Sequence, residues 1–171
     1  MTTTITPTDQ LVYDTVDTPY GRLLLIAGSA GLVRVAFESE GFDEVLASLG
    51  APAEPADGRL DDVRRQLEEY FAGTRRRFDL ELDLGAVGGF RRRALEVLAA
   101  IPYGETRTYR EVAEAAGNPA AVRAAGGACA TNPWPVIVPC HRVLRTGGGL
   151  GGYLGGLEMK RGLLQLEGQD A

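Results

Sequence analysis

The sequence predicts an α+β protein in which a small antiparallel sheet with helices comes first and a mainly helical part follows. Two observations lead to this prediction. Short runs in the first half alternate between apolar and polar residues, which is typical of strands with one solvated face. In the second half, apolar residues recur at helical spacing, and a glycine-containing turn separates two short helices in the pattern of a helix-turn-helix.

Strand character in the first half falls in four segments. Residues 21–27 form an apolar run, residues 29–31 (SAG) indicate a turn, and residues 32–38 alternate, which together predict a hairpin. Residues 11–16 are a candidate third strand. Residues 78–84 alternate again and are a candidate for returning to the sheet.

Helices are predicted between these strands. Residues 42–49 predict a short helix, residues 50–58 (GAPAEPADG) predict a loop, and a second helix ends at Gly73. The apolar stripe of that second helix consists of Leu60, Val63, Leu67, Tyr70 and Phe71. We place a domain boundary in the glycine-rich residues 85–89. This gives an N-terminal supporting domain over residues 1–85 and a C-terminal domain over residues 86–171.

Three helices are predicted early in the second half. The first has a buried face spaced at i, i+4, i+7, i+8 and i+11, formed by Phe90, Ala94, Val97, Leu98 and Ile101. Thr108 and Glu111 form a capping box that begins the second helix. After a turn at residues 117–119, a third helix covers residues 120–130. The second and third helices form the predicted helix-turn-helix.

The third of these helices consists mostly of alanine and glycine. Arg123 stands alone among small residues that include Ala124, Gly126 and Gly127. Each glycine inside a helix costs about 1 kcal/mol relative to alanine, so small residues help only where another body approaches closely. One interpretation is tight packing against a neighbouring helix. The other is insertion into a narrow groove, such as a DNA minor groove about 6 Å wide.

Composition excludes several classes of protein. The chain has 171 residues, of which 44% are apolar and 24% charged, and these values are ordinary for a globular protein. Its two cysteines exclude a disulfide-stapled scaffold, and with the single histidine they exclude a His-rich or Cys-rich zinc site. A site made of carboxylates alone stays open. No segment resembles an export signal or a membrane span, which predicts a cytoplasmic protein with no membrane partner.

Charge differs between the two halves of the chain. Residues 1–85 hold 8 Arg against 16 Asp and Glu, a net of −8, whereas residues 86–171 hold 10 Lys and Arg against 7 Asp and Glu, a net of +3. A basic half in an otherwise acidic chain points to an anionic partner for that half.

The strongest chemical signal is the sequence PCHRV over residues 139–143. His141, the only histidine, follows Cys140, and an arginine comes next. A thiolate is a nucleophile, and nearby positive charge lowers the pKa of a thiol. Neighbours on a strand point to opposite faces, so the two side chains cooperate only if the segment leaves the strand, as Pro139 allows, or if a water bridges them. The alternatives are a buried structural thiol and a core or surface histidine.

Together with the preceding Asn-Pro-Trp-Pro, this motif resembles the active site of the O6-alkylguanine-DNA alkyltransferases. The resemblance extends over nearly the whole chain, in order and spacing, through residues 17–23 (DTPYGRL), residues 101–106 (IPYGET) with Tyr109, the helix-turn-helix with Arg123, and residues 151–156 (GGYLGG) with Lys160 and Glu167. It implies a ribonuclease H-like first domain. It also implies irreversible, once-only transfer of the alkyl group of O6-alkylguanine, and also of O4-alkylthymine, from duplex DNA to a cysteine.

The resemblance assigns roles in the reaction. Cys140 accepts the alkyl group, His141 acts through a water as its base, and Glu167 orients His141. Tyr109 presses on the 3′ phosphate of the flipped nucleotide and donates a proton to guanine N3. Asn132 ties the groove-binding helix to the active-site segment.

The resemblance also implies a partner, double-stranded DNA that carries O6-alkylguanine and is bound through the minor groove. A thiol cannot reach a base inside a duplex, so the nucleotide flips out and Arg123 fills its place in the stack. Ala124, Gly126 and Gly127 are expected to line the groove. No cofactor, no metal and no obligate protein partner is implied, because the electrophile is already on the DNA.

The implied substrate pocket consists of the Val143 carbonyl, Tyr153, the backbone of Leu154, and Cys129. The family often has a small residue at the position of Leu154, so bulky adducts are expected to fit poorly if this side chain lines the entrance. Cys129 stands where some relatives carry Met, and it either stacks on the base or packs.

Two other classes of protein compete with this interpretation. A regulator or damage sensor would use the helix-turn-helix and leave Cys140 inert, although regulators usually read the major groove with larger polar side chains. A cysteine hydrolase or redox enzyme would turn over many times, and the sequence has no Cys-x-x-Cys motif.

Overall fold

The computed structural model describes residues 10–85 and 87–171 of the chain. It divides into two compact units, Met1–Ala86 and Val87–Ala171. The first contains a small sheet with helices and the second is mainly helical, so the predicted α+β class is confirmed. That the first unit supports the second stays a prediction.

The sheet of the first unit is built around its central strand. Strands β1 (Leu11–Thr18), β2 (Gly21–Gly28) and β3 (Gly31–Phe37) form an antiparallel meander in the order β3-β2-β1. Consecutive side chains of β2 are buried, from Leu23 to Ala27. Successive side chains of a strand point to opposite faces, so both faces of β2 are covered.

Two sequence predictions for the first unit are wrong. Residues 50–58 are not only a loop, because β4 (Ala53–Pro55) pairs parallel with β1 and makes the sheet mixed. The strand was missed because it contains a proline, which usually argues against a strand. Proline is tolerated here because an edge strand does not need every backbone N–H for pairing. Residues 78–84 do not form a strand. They contribute one isolated bridge, in which the Leu32 N–H donates to the Glu81 carbonyl at 2.8 Å.

Two helices complete the first unit. Helix α1 (Phe42–Ala47) and helix α2 (Asp61–Phe71) occur where the periodicity predicts them. The buried side chains of α2 include Val63, Leu67 and Tyr70 from the predicted stripe.

The second unit begins with three helices that pack on one another, α3 (Gly89–Ala99), α4 (Tyr109–Ala115) and α5 (Val122–Ala130). The predicted capping box of α4 is present, since the Glu111 N–H donates to Thr108 Oγ1 at 3.2 Å and the Thr108 N–H donates to Glu111 Oε2 at 2.6 Å. Helix α5 begins two residues later than predicted, because Ala120 and Ala121 still belong to the turn.

A two-stranded parallel sheet and a last helix complete the second unit. Strand β5 (Arg107–Thr108) pairs with β6 (Val143–Leu144), and helix α6 (Leu157–Leu166) follows. Strands of two residues have no periodicity to detect, which is why the sequence did not predict them. Every helix among the described residues is too short or too polar to span a lipid bilayer.

Candidate active site

The segment that carries Cys140 leaves extended geometry, as cooperation with His141 requires. Residues Cys140–Arg142 form a 3-10 turn. Val136 just before it has φ +73°, the only positive φ of a non-glycine residue in the described chain. A backbone conformation of this kind costs on the order of 1–3 kcal/mol and persists only where the surroundings impose it. The Val138 N–H bonds to the Trp134 carbonyl at 2.8 Å across this bend.

Asn132 holds the bend from its position two residues after α5. Its Nδ2 donates to the Val138 carbonyl at 2.8 Å, and its Oδ1 accepts from the Trp134 N–H at 2.9 Å. The side chain is buried, so these bonds are shielded from water. Asn132 therefore links the end of the helix-turn-helix to the backbone that leads into Cys140.

His141 and Glu167 are in direct contact. His141 Nε2 lies 2.9 Å from Glu167 Oε1, and both side chains are buried. Burial by itself raises the pKa of Glu167, but hydrogen bonds from His141 and Arg142 outweigh it and lower the pKa to about 2. The ionised carboxylate can only accept, so Nε2 of His141 carries the hydrogen of this bond.

The other ring nitrogen of His141 is the one available to act as a base. Burial lowers the pKa of His141, although Glu167 acts in the opposite direction, so the ring is neutral near neutral pH. With the hydrogen on Nε2, the lone pair is on Nδ1. Nδ1 is buried and has no hydrogen-bond partner among the described residues.

Cys140 is buried, and its thiol is protonated at rest. Burial raises the pKa of Cys140, while a hydrogen bond from Asn132 and the charge of Lys160 oppose the rise only in part. The positive charge that lowers the pKa of Cys140 comes from Lys160 and not from the arginine after His141. Arg142 instead donates to Glu167. A base is therefore needed to generate the thiolate.

A cavity of about 230 Å³ lies beside the thiol. It is lined by Tyr109, Gly126, Cys129, Ala130, Cys140, Gly152, Tyr153 and Leu154. Three of the four predicted pocket residues are among them. The Val143 side chain is fully buried and its carbonyl accepts from Lys160 Nζ at 2.8 Å, and the contribution of that carbonyl to the pocket stays a prediction.

Leu154 and Cys129 both line the cavity, but they differ in how far they are exposed to solvent. Leu154 is 54% exposed, so its side chain stands between the cavity and solvent. Cys129 is half-buried, and burial raises its pKa to about 12. The Cys129 thiol is therefore protonated in this cavity.

Tyr109, the first residue of α4, depends on a close glycine. A Cβ built on Gly151, whose φ is +72°, would lie 2.8 Å from the Tyr109 hydroxyl. Burial raises the pKa of Tyr109, so the phenol keeps its proton. Gly151 thus leaves room for a protonated hydroxyl at the cavity.

Lys160 has a structural role that the sequence motifs did not predict. Its side chain is fully buried, and Nζ donates to the carbonyls of Val143, Leu150 and Gly152. These three carbonyls flank the loop that carries the cavity wall. One signal pointed to it, since Lys160 is the only lysine among 18 basic residues.

The outer face of α5 is open. Arg123, Ala124 and Gly127 are exposed, whereas Ala125 and Ala128 are buried against the unit. A Cβ on Gly127 would meet nothing within 4 Å, and one on Gly126 would touch only the Tyr109 ring at 4.0 Å. Packing within the described chain therefore does not explain Gly127.

Comparison with known proteins relates both units to one family. Residues 11–84 match the family model described as 6-O-methylguanine DNA methyltransferase, ribonuclease-like domain, and residues 89–169 match the DNA binding domain of the same family. The methylated-DNA–protein-cysteine methyltransferase of Mycobacterium bovis is 41% identical over 155 residues, 91% of each chain. This chain belongs to the O6-methylguanine DNA methyltransferase family.

Other members of the family agree with this assignment. The constitutive methylated-DNA–protein-cysteine methyltransferase of Bacillus subtilis is 36% identical over 156 residues, which cover 91% of this chain and 94% of the relative. The crystal structure of Mycobacterium tuberculosis OGT in complex with DNA superposes with a TM-score of 0.79, at 42% identity and 91% coverage of both chains. The family and the ribonuclease-like first unit predicted from the sequence are confirmed.

Proposed function

We propose that this chain repairs alkylated DNA by direct reversal, moving the alkyl group of O6-alkylguanine, and also of O4-alkylthymine, irreversibly to Cys140. The predicted enzyme class, a methylated-DNA–protein-cysteine methyltransferase, is confirmed by relatives of that name in several species. The observation that carries the proposal is the position of Cys140. Its thiol borders a cavity, and the next residue is a buried histidine paired with a carboxylate.

The first step is formation of the nucleophile. The Cys140 thiol gives its proton through a water to Nδ1 of His141, and the ionised Glu167 stabilises the resulting imidazolium. The need for this base follows from burial, which keeps the resting thiol protonated.

The second step is alkyl transfer. The thiolate sulfur attacks the alkyl carbon, the bond from that carbon to guanine O6 breaks, and its electron pair stays on the guanine. Tyr109 donates its phenol proton to guanine N3, and the proton on His141 then restores the phenol through solvent. The products are guanine and S-alkylcysteine. The thioether has no route back to a thiol, so each molecule acts once.

DNA is the proposed partner, bound through the minor groove by α5. The exposed, nearly side-chain-free face of this helix supports close approach to a groove, and Arg123 is its one long side chain. The nucleotide leaves the stack to reach the cavity, and Arg123 occupies the gap. We place this reaction in the cytoplasm, where thiols stay reduced, since Cys129 and Cys140 are both free and the second must be a thiol.

Intact-mass measurement tests the proposal. Protein mixed with substoichiometric duplex carrying one O6-methylguanine should gain a single methyl group in a fraction equal to the duplex-to-protein ratio. Cys140→Ser should gain nothing. Cys129→Ser, which removes the other thiol of the same cavity, should gain the methyl group like the parent chain. Methyl transfer to Cys129, or tight duplex binding without any mass gain, would overturn the proposal; the second result would favour a damage sensor.

A further inference from the structure

Arg142 is the residue of the PCHRV motif that the proposed reaction leaves without a task. It is 6% exposed, follows His141 directly, and lies in the same 3-10 turn as Cys140. A buried guanidinium is expensive unless its donors are bound, so its partners indicate its role.

We propose that Arg142 is a positioning residue that fixes the proton of His141, by sharing the Glu167 carboxylate and so keeping the histidine neutral with its lone pair on Nδ1. The consequence for methyl transfer rests on the proposed function. The consequence for the histidine does not, because it concerns the free protein.

Arg142 and His141 donate hydrogen bonds to the same carboxylate, that of Glu167. Glu167 Oε1 accepts from Arg142 Nη2 at 2.8 Å and from His141 Nε2 at 2.9 Å, while Oε2 accepts from Arg142 Nε at 2.9 Å. This is a two-pronged guanidinium–carboxylate pair in which one oxygen also serves the imidazole. The carboxylate is therefore held in place by arginine before histidine uses it.

The guanidinium is itself anchored elsewhere. Arg142 Nη1 donates to the Ile101 carbonyl at 2.5 Å, just after the end of α3, and the Tyr103 ring centroid lies 5.8 Å from the guanidinium carbon. The three guanidinium nitrogens of Arg142 thus donate to three different oxygen atoms. A planar guanidinium can do this, whereas the single ammonium group of a lysine could not reproduce all three hydrogen bonds.

Charge explains why the sharing matters. The charged groups that act on His141 are Glu167 and Lys160 from the C-terminal helix region and Arg142 from its own turn. Burial lowers the pKa of His141 most, Glu167 raises it, and Arg142 and Lys160 lower it further. Without Arg142, a buried carboxylate would be left with histidine as its only close cation. The His141–Glu167 pair would then hold an extra proton, and Nδ1 would be occupied when Cys140 has to release its own.

The chain offers a direct experiment, because His141 is its only histidine. Nitrogen NMR of imidazole-labelled protein, without DNA, reports the tautomer and the pKa of this one residue. In the parent chain we expect the Nε2–H tautomer and no protonation down to below the ordinary histidine pKa of about 6.5. In Arg142→Met the pKa of the His141–Glu167 pair should rise by about one to three pH units. Arg142→Lys, which keeps a charge but not the fork, should show a smaller rise.

A double variant separates the effect of the lost Arg142 charge from the effect of altered packing around it. Arg142→Met with Glu167→Gln removes the unpaired anion as well, so the pKa of His141 should fall back below its usual range. The single-turnover methyl-transfer rate should follow the same order, with the acid-side decline of the rate moved to higher pH in Arg142→Met and less so in Arg142→Lys.

The outcomes separate the two proposals. A folded Arg142→Met or Arg142→Lys protein with an unchanged His141 signal would overturn the inference, as would a rate that falls equally at every pH. If Arg142→Met does not fold, Arg142→Lys carries the test. Failure of the parent chain to accept a methyl group would overturn the proposed function, and the NMR result would still decide the role of Arg142.

Discussion

The active-site cluster and the outer face of α5 lie in the same unit. They differ in how many of their polar groups already have hydrogen-bond partners within the chain. Cys140, His141, Arg142 and Glu167 are each 6% exposed or less, and Glu167 accepts from both His141 and Arg142. Arg123 on α5 is exposed, and among the described residues it has no hydrogen-bond or ion-pair partner.

This difference suggests a division of labour. In the proposed reaction the cluster serves proton transfer, and its hydrogen bonds are already formed before any substrate arrives, as a low-dielectric catalytic site requires. On the outer face of α5, by contrast, Arg123 is exposed, and the proposed function assigns this face to DNA. Substitutions in the cluster should therefore affect transfer while sparing duplex binding. Substitutions on the helix face should weaken duplex binding or nucleotide flipping, and should leave transfer from a free alkylated base unchanged.

The largest expected effect is that of Cys140→Ala. Removing the nucleophile should abolish methyl transfer, while affinity for a duplex carrying O6-methylguanine stays within about twofold, because α5 is untouched. Fluorescence anisotropy and intact mass on the same samples measure both. Loss of binding together with transfer would show that the two regions are not separable.

Next comes loss of the base. His141→Asn should slow single-turnover transfer by about 10²- to 10⁴-fold, the usual contribution of a positioned base. Part of the rate should return at high pH, where solvent deprotonates the buried thiol. A rate that stays equally low at every pH would mean that His141 is structural.

Acid stability should reveal the buried carboxylate. Glu167 has a pKa of about 2 in the folded chain against an ordinary value near 4.5, so it stabilises the fold above pH 4.5, and that contribution is lost as pH falls toward 2. Its size is on the order of 3 kcal/mol. The pKa of His141 is lowered, so stability also declines as pH falls below about 6.5, where the unfolded chain takes up a proton first.

Urea unfolding at about pH 6 and about pH 3 measures this effect. Because loss of Glu167 also lowers the pKa of His141 and so enlarges the histidine's own share of the acid loss, the comparison is made in a His141→Asn background. There the free energy of unfolding should fall less with Glu167→Gln than without it. Glu158→Gln, which removes an exposed carboxyl of the same C-terminal helix, is the control and should behave like the parent. Equal losses in all three proteins would contradict the ionised, paired state of Glu167.

The smallest expected effect is that of Gly127→Ala, and its sign is informative. Alanine should raise the free energy of unfolding by up to about 1 kcal/mol, because it favours the helix and its Cβ meets nothing within 4 Å. Duplex affinity should nevertheless fall, since the methyl group stands where the groove approaches. Higher stability with unchanged affinity would mean that no body presses on this face.

Local sequence patterns predicted much of the fold. They could not predict hydrogen bonds between residues far apart in the sequence. Helices α2 and α3 were predictable because their apolar stripes repeat over several turns. Strand β4 was not, since it has only three residues, of which the last is a proline, and shows no alternation. Arg142 donates to Glu167 across 25 positions of the chain, and no pattern shows which carboxylate an arginine will meet. The bond from Lys160 to the Val143 carbonyl was unpredictable for the same reason, because it depends on the folded loop.

A comparison of two substrates in Arg123→Ala tests most directly whether the exposed face of α5 acts on DNA and the buried cluster on the chemistry. Transfer rates are measured on duplex carrying O6-methylguanine and on the free O6-methylguanine base, with Arg161→Ala, another exposed arginine, as the control for lost charge. We expect a loss of about tenfold or more on duplex, where the nucleotide must flip, and an unchanged rate on the free base. Equal losses on both substrates would contradict this expectation, because the exposed helix face would then be acting on the chemistry itself.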